Sequence, residues 1–304
     1  MILNGYKSGF VGVLGHEFVG IVVEEGANQG KRVVGSINIA HCGRGDDPCC
    51  EFCEVSPGGN HCLQRQVVGI LHHQGAFAEY LVMPFANLHV VPDSLPSQVA
   101  VFTEPLAAAF RAAEQVRIHV QSHPQANSRK KVAVLGDGKL GSLVCQALRC
   151  EFPTSNLELH VFGRHASKMG DICQLTWCYF WNESALPSFS QYFDVVVECT
   201  GSADGANRAV GAVKSMGLVV LKSTCSFVAG EATGLTTSSV NDVVVRELVV
   251  CGSRCGPFDR ALRALELGEV KVNGLVEAVL PLGELALALA AKRGSKKVLM
   301  QVGL

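Results

Sequence analysis

Two hydrophobic rhythms divide the chain. In the first hundred residues the apolar stretches are short, and 19–24, 32–39 and 77–83 read as strands with a glycine near each. Beyond about residue 128 the rhythm changes. Residues 131–135 form a short apolar run typical of a buried strand, and 138–150 follow with Leu140, Leu143, Val144, Ala147 and Leu148 at helical spacing. Further strands are predicted at 157–162, 194–199 and 218–222, with helices at 165–173 and 203–215. Strands alternating with helices predict a parallel sheet flanked by helices. The boundary between the two rhythms falls between Glu104 and Lys131, and the polar stretch 121–130 inside it reads as a surface loop. There is no internal repeat and no low-complexity tract.

Composition narrows the class. A chain of 304 residues is long enough for about two compact domains. With 48% hydrophobic residues and 26 Lys+Arg against 27 Asp+Glu, it is too apolar and too evenly charged to be disordered. The net charge of −1 gives no electrostatic reason to expect a nucleic-acid or membrane partner. The longest apolar stretch, 285–291, is far short of the roughly 18 residues of a membrane span. The first residues do not pattern as a secretory signal. Thirteen Cys without such a signal predict a reducing, cytoplasmic setting, in which thiols pack, react or bind metal.

Gly136-Asp137-Gly138-Lys139-Leu140-Gly141 is a GxGxxG that follows a predicted strand and opens a predicted helix, the context a dinucleotide site requires. Gly136 permits the tight turn, Gly138 lets a pyrophosphate approach the backbone, and Gly141 lets helix and strand pack closely. The helix N-terminus then supplies N–H groups for the phosphates. At the end of the next strand an NAD-selective site places Asp or Glu for the ribose 2′-hydroxyl. This stretch of sequence has no carboxylate there and carries Arg164, His165 and Lys168 instead, a cluster suited to a 2′-phosphate. NADP(H) is therefore expected ahead of NAD(H).

Five of the 13 Cys lie between Cys42 and Cys62, in a stretch rich in Gly and Pro that reads as an irregular lobe. Cys42, Cys50, Cys53 and Cys62 can supply four thiolates to a tetrahedral structural zinc, with Cys49 as an alternative. His41 and His61 flank lobe cysteines as substitute ligands. His16 and Glu17 are adjacent residues of zinc-ligand type. His72 and His73 read as loop or edge-strand residues, Glu79 as a strand-face residue, and Cys251 and Cys255 as packing thiols. The segment 177–181, which holds both Trp, reads as a core plug, an exposed patch or a local sequence anomaly.

Together Gly15-His16-Glu17-Phe18-Val19-Gly20, the cysteine lobe, Gly75-Ala76-Phe77-Ala78-Glu79-Tyr80, Glu104-Pro105-Leu106, the GxGxxG and Glu198-Cys199-Thr200-Gly201 occur in an order that resembles the zinc-containing alcohol dehydrogenases of the medium-chain dehydrogenase/reductase family. The likeness is closest to its polyol and threonine dehydrogenase-like branch. It implies an α/β fold: a GroES-like β-rich catalytic domain (1–105), a Rossmann doubly wound parallel-sheet domain (106–252) and a return to the catalytic domain (253–304), with the active site in the cleft between them. It implies that His16, Glu17 and Glu104 serve a catalytic zinc, a Lewis acid that lowers the pKa of an alcohol whose hydride passes to the nicotinamide. It also implies that Thr200 and Gly201 line the cofactor cleft, and that the partners are a small alcohol or carbonyl substrate and further copies of the chain, as a homodimer or homotetramer.

In the family a segment before Gly-His-Glu carries a Cys zinc ligand. Only 15 residues precede His16 here and none is Cys, so that ligand is expected to be missing and the catalytic domain to be N-terminally incomplete. Two other readings follow: a nucleotide-binding pseudoenzyme or truncated form, and a zinc-free enone or quinone reductase of the same superfamily.

Overall fold

The structure is a computed structural model that describes residues 10–40, 50–55, 59–123, 129–152, 154–225, 234–290 and 296–303. They divide into two compact units, one of Ala108–Gly256 and one of Lys7–Ala107 with Pro257–Leu304.

The second unit is built from short strands. β1 (Gly20–Ile21), β2 (Arg32–Gly35), β3 (Asn38–Ile39), β4 (Gln66–Val68), β5 (His72–His73) and β6 (Leu88–Val90) form two three-stranded sheets, β1-β2-β6 and β3-β4-β5. Their inward residues Val33, Val34, Ile39, Val67 and Val68 make the core. Side chains fix the loops between them: Arg32 donates to the carbonyls of Leu95 and Pro92 at 2.8 and 3.0 Å, and Asn87 to those of Ser36 and Asn38. All three predicted strands come out differently: 32–39 divides into β2 and β3, which lie in different sheets. The stretch 19–24 shrinks to β1. The stretch 77–83 forms no strand, because its backbone finds no ladder and its outward Tyr80 and Val82 are 75% and 84% exposed. The cysteine lobe is not wholly irregular, since α1 (Glu51–Val55) occupies part of it.

α2 (Ser97–Ala100) leads into α3 (Thr103–Ser122), a helix that the sequence reading missed. Its buried apolar residues are Leu106, Ala107, Ala109, Phe110, Ala112, Ala113 and Val116. Alanine packs such a helix tightly but weakens the hydrophobic contrast by which a helix is recognised. The expected loop at 121–130 is correspondingly shorter, with helix up to Ser122 and strand from Lys130.

The first unit alternates β7 (Lys130–Leu135), α4 (Lys139–Glu151), β8 (Leu157–Gly163), α5 (Ala166–Thr176), β9 (Tyr179–Asn182), β10 (Phe193–Glu198), α6 (Ala203–Ala212), β11 (Val213–Leu221), α7 (Thr237–Val245) and β12 (Val249–Gly252). Its six strands are all parallel, in the order β12-β11-β10-β7-β8-β9. The two halves wind outward from β7 and β10, so the strand order reverses between them, the point at which doubly wound sheets bind ligands. Valine fills the middle strands, as expected where both faces are covered: Val132, Val134, Val195, Val196, Val197, Val219 and Val220 are fully buried. α6 stops at Ala212, three residues before its predicted end, because β11 begins at once with Val213.

The segment holding both Trp resolves into the turn after α5 and the edge strand β9. Trp177 caps α5 in a left-handed conformation and is exposed, while the Trp181 indole N–H donates to His160 Nδ1 at 3.0 Å. An indole nitrogen only donates, so His160 Nδ1 is an acceptor, and its Nε2–H donates to Glu158 at 2.7 Å. His160 is thus held neutral, and burial lowers its pKa further.

The chain returns to the second unit with α8 (Phe258–Glu266), β13 (Val276–Pro281), α9 (Leu285–Ala290) and β14 (Lys297–Gln301), β13 pairing parallel with β14. Among the described residues no helix is long and apolar enough to cross a membrane.

Candidate active site

His16 and Glu17 lie on a loop held by glycines. Backbone N–H groups of Gly75, Ala76 and Phe77 donate to the carbonyls of Val13, Gly15 and Leu14 at 2.7, 2.8 and 2.9 Å. This strap comes so close that a Cβ on Gly75 would stand 2.4 Å from the Leu14 backbone, and one on Gly69 2.3 Å from the Gly15 carbonyl. The Gly75-Ala76-Phe77 motif therefore positions the loop that carries His16. Glu104 arrives from the first turn of α3.

The ligand atoms of His16, Glu17 and Glu104 all lie within 4.8 Å of one another. Burial, helped by the Lys297 cation, lowers the His16 pKa to about 4, so its imidazole is neutral at pH 7, the form that ligates a metal. Glu17 Oε2 is buried, and the Lys297 ammonium lies against it as an ion pair. Lys297, on β14, also sits over the Phe102 ring, and burial lowers its pKa to about 7. Sequence reading missed Lys297, which lies 280 residues from its partner in a stretch with no motif. One imidazole and two carboxylates suit zinc, so the donor set fits the metal that the resemblance implies.

In the cysteine lobe Cys50, Cys53 and Cys62 also gather their sulfurs within 4.8 Å. α1 sets the first two side by side, 3.5 Å apart, with Cys53 N–H donating to Cys50 O. A backbone hydrogen bond from Leu63, ahead of those around Cys53 and Cys62, pulls the Cys50 thiol down to about 6, the thiolate form that binds zinc. Cys42, Cys49 and His41 lie outside the described residues. His61 is exposed and is not among the three grouped thiols.

In the first unit Gly136, with φ +115°, turns the chain off β7 and lies against Cys199 and Thr200 at the end of β10. Gly138 starts α4 without a side-chain cap, and nothing lies within 4 Å of where its Cβ would be, so the helix N-terminus is open to an anion. Lys139 and Leu140 form the first turn. A Cβ on Gly141 would fall 2.0 Å from the Gly136 carbonyl oxygen. Gly141→Ala is therefore expected to lower thermal stability, at an overpacking cost of about 1–3 kcal/mol, and to weaken NADP+ binding as the loop shifts. An unchanged melting temperature and an unchanged Kd by titration calorimetry would count against this reading of the loop.

Beyond β10, Thr200 and Gly201 follow Glu198, which is 1% exposed. Its Oε1 accepts from the backbone N–H of Thr200 and Gly201 and from the Thr200 hydroxyl. Burial nevertheless raises its pKa. Glu198 fixes the loop on which Thr200 and Gly201 sit; the sequence showed it only as part of a motif.

At the end of β8 Arg164 is exposed, with Glu183 3.8 Å away, and His165 caps α5, whose first turn carries Lys168. A carboxylate does stand here, supplied by the glycine loop. Asp137 Oδ2 accepts from the His165 backbone N–H at 2.6 Å and from its Nδ1 at 3.0 Å. Its position in GxGxxG, 26 residues before Gly163, gave no sign of this.

The chain thus joins a β-rich unit holding two groups of candidate metal ligands to a doubly wound parallel sheet, and comparison with known proteins identifies its family. The profile of the glucose dehydrogenase C-terminus matches residues 97–302, and that of the alcohol dehydrogenase GroES-like domain matches residues 2–93. The chain belongs to the zinc-type alcohol dehydrogenase-like members of the medium-chain dehydrogenase/reductase family. An L-threonine 3-dehydrogenase of Xanthomonas euvesicatoria pv. vesicatoria (strain 85-10) is 39% identical over 106 residues, 33% of this chain; the chain spans only 28% of that relative's length. A sorbitol dehydrogenase of Halalkalibacterium halodurans is 26% identical over 274 residues, covering 86% of this chain and 73% of that protein. Among solved structures, a protein of Sinorhizobium meliloti 1021 described as a zinc-binding dehydrogenase and bound to NADP is 28% identical, with a TM-score of 0.75 over 95% of this chain and 83% of its own.

Proposed function

We propose that this protein is a zinc-dependent oxidoreductase moving a hydride between the CH–OH carbon of an alcohol or polyol and a nicotinamide nucleotide, NADP(H) ahead of NAD(H). The observation that carries this is the convergence of His16, Glu17 and Glu104 in a chain that also holds the open glycine loop of a doubly wound sheet. The three side chains hold the metal, with His16 neutral and Glu17 steadied by Lys297. Zinc, when bound, supplies Lewis-acid polarisation of the alcohol and lowers its pKa. Gly136, Gly138, Lys139, Leu140 and Gly141 receive the pyrophosphate, Arg164, His165 and Lys168 face the adenosine end, and Thr200 and Gly201 line the nicotinamide side. Cys50, Cys53 and Cys62, with Cys42 or Cys49 as fourth ligand, hold a second, structural zinc. Likeness to proteins named sorbitol and L-threonine dehydrogenase supports a small CH–OH substrate, and the NADP-bound relative supports the nucleotide. The active form is a cytoplasmic homodimer or homotetramer.

The test is NADP+ reduction by zinc-replete protein across a panel of polyols, sugars and secondary alcohols, read as absorbance of the reduced nicotinamide. Zinc-dependent turnover with at least one of them is expected. Turnover that persists without zinc would favour the zinc-free reductase reading. Arg164→Asp is expected to shift preference from NADP(H) toward NAD(H). An equal loss of affinity for both would sink the assignment of Arg164 to the 2′-phosphate.

A further inference from the structure

We propose that Asp137 determines how sharply this protein discriminates between the two nicotinamide nucleotides, by placing a carboxylate from the glycine loop where the adenosine ribose is read. The inference rests on the nucleotide reading above and goes beyond it, since that reading contains only cations at this corner.

Three observations converge. First, the carboxylate lies at the end of β8. A Cβ built on Gly163 would stand 2.4 Å from Asp137 Cβ and 2.7 Å from its Oδ2, so the missing side chain of Gly163 is what admits Asp137 to this position. Second, Asp137 is anchored. Its Oδ2 takes two donors from His165, the backbone N–H and Nδ1, and a carboxylate can only accept from them. Its side chain is 12% exposed, against 48% for His165. Third, the neighbouring charges are mixed: Arg164 has Glu183 at 3.8 Å, and Lys168 is the other cation of the α5 start.

An NAD-selective site puts a carboxylate at the end of this strand to accept from the ribose 2′-hydroxyl. Asp137 supplies the same group from another element, and Oδ1 is left to accept from a 2′-hydroxyl. A 2′-phosphate brings up to two negative charges toward the same carboxylate, and Arg164, His165 and Lys168 must offset that repulsion. The corner therefore holds a recognition element for each nucleotide. Asp137 favours NAD(H) and penalises NADP(H), which keeps the two affinities close.

The experiment compares wild type and Asp137→Asn, full chain and zinc-replete, by titration calorimetry with adenosine 2′,5′-bisphosphate and 5′-AMP. These two probes differ only in the 2′-phosphate. Asn keeps an acceptor for the His165 N–H but has no charge, and thermal unfolding of both proteins checks that the fold is retained. The ratio of the 5′-AMP Kd to the bisphosphate Kd is expected to rise about tenfold or more in the variant, the direction and size that removal of one near-surface charge beside a phosphate gives. NADP+ and NAD+ are expected to follow the same trend. A ratio that stays constant, with the bisphosphate bound by wild type, overturns the role of Asp137 and leaves the nucleotide site standing. Failure of wild type to bind either probe overturns both. If Asn unfolds the protein, Asp137→Ser replaces it under the same criteria.

Discussion

Replacing His16 with Ala is expected to remove one of two bound metal equivalents and about a thousandfold of the turnover, while the second equivalent stays. His16 is the one nitrogen donor of its cluster, and its low pKa keeps it ready to ligate at neutral pH. Without it, two carboxylates remain, one of them already ion-paired with Lys297. Loss of the Lewis acid takes away several kcal/mol of transition-state stabilisation, and about 4 kcal/mol corresponds to about a thousandfold in rate. The thiol cluster is formed by Cys50, Cys53 and Cys62 and shares no residue with His16, so its metal is unaffected. The measurement is elemental analysis per chain, alongside the rate with the best substrate of the panel and the NADP+ Kd as a control. Unchanged metal content would remove His16 from the ligand set. Normal metal loss with unchanged turnover would separate the metal from the chemistry and favour the zinc-free reading.

What could be read beforehand follows from how local each signal is. The glycine loop was legible because its physics is confined to six residues: the turn at Gly136, the open approach at Gly138 and the contact between Gly141 and the Gly136 carbonyl are all backbone events. The four inner strands of the parallel sheet, β11, β10, β7 and β8, were legible because burial on both faces makes continuous Val and Leu runs, whereas the short, partly exposed edge strands β9 and β12 were not read. His16, Glu17 and Glu104 were named from the resemblance; composition and spacing alone would have left His16 a structural histidine. The residues that escaped are those whose role depends on a distant partner. Lys297 meets Glu17, Asp137 reaches His165, and Trp181 bonds His160, each through a contact that leaves no periodicity. The stretch 77–83 failed in the opposite sense. It alternates like a strand, yet a strand needs a partner ladder, and the backbone bond found for it is the one from Phe77 N–H to the Leu14 carbonyl at its start. The helix α3 was hidden by its own alanines.

Cys53→Ser is expected to remove the other metal equivalent and to lower the melting temperature by roughly 10 °C. The sulfurs of Cys50, Cys53 and Cys62 already lie within 4.8 Å of one another, and among the described residues of the lobe the five-residue α1 is the regular structure. Among its described residues Cys62 is a buried thiol, while the large apolar side chains Phe52 and Leu63 are exposed. Metal binding therefore carries its folding free energy, and structural zinc sites bind with an apparent free energy of about 10–16 kcal/mol. A hydroxyl in place of a thiolate forfeits a large share of that. A loss of only about 4 kcal/mol moves the melting point of a domain this size by roughly 10 °C. The neighbouring Cys50 thiol, held near 6 by the Leu63 backbone hydrogen bond, would lose its Cys53 contact and move back toward an ordinary thiol. Zinc content, thermal unfolding and the pH dependence of Cys50 alkylation read the three consequences separately. Zinc stoichiometry that survives the substitution, with an unshifted melting point, would show that these thiols are not a metal site, whatever their spacing.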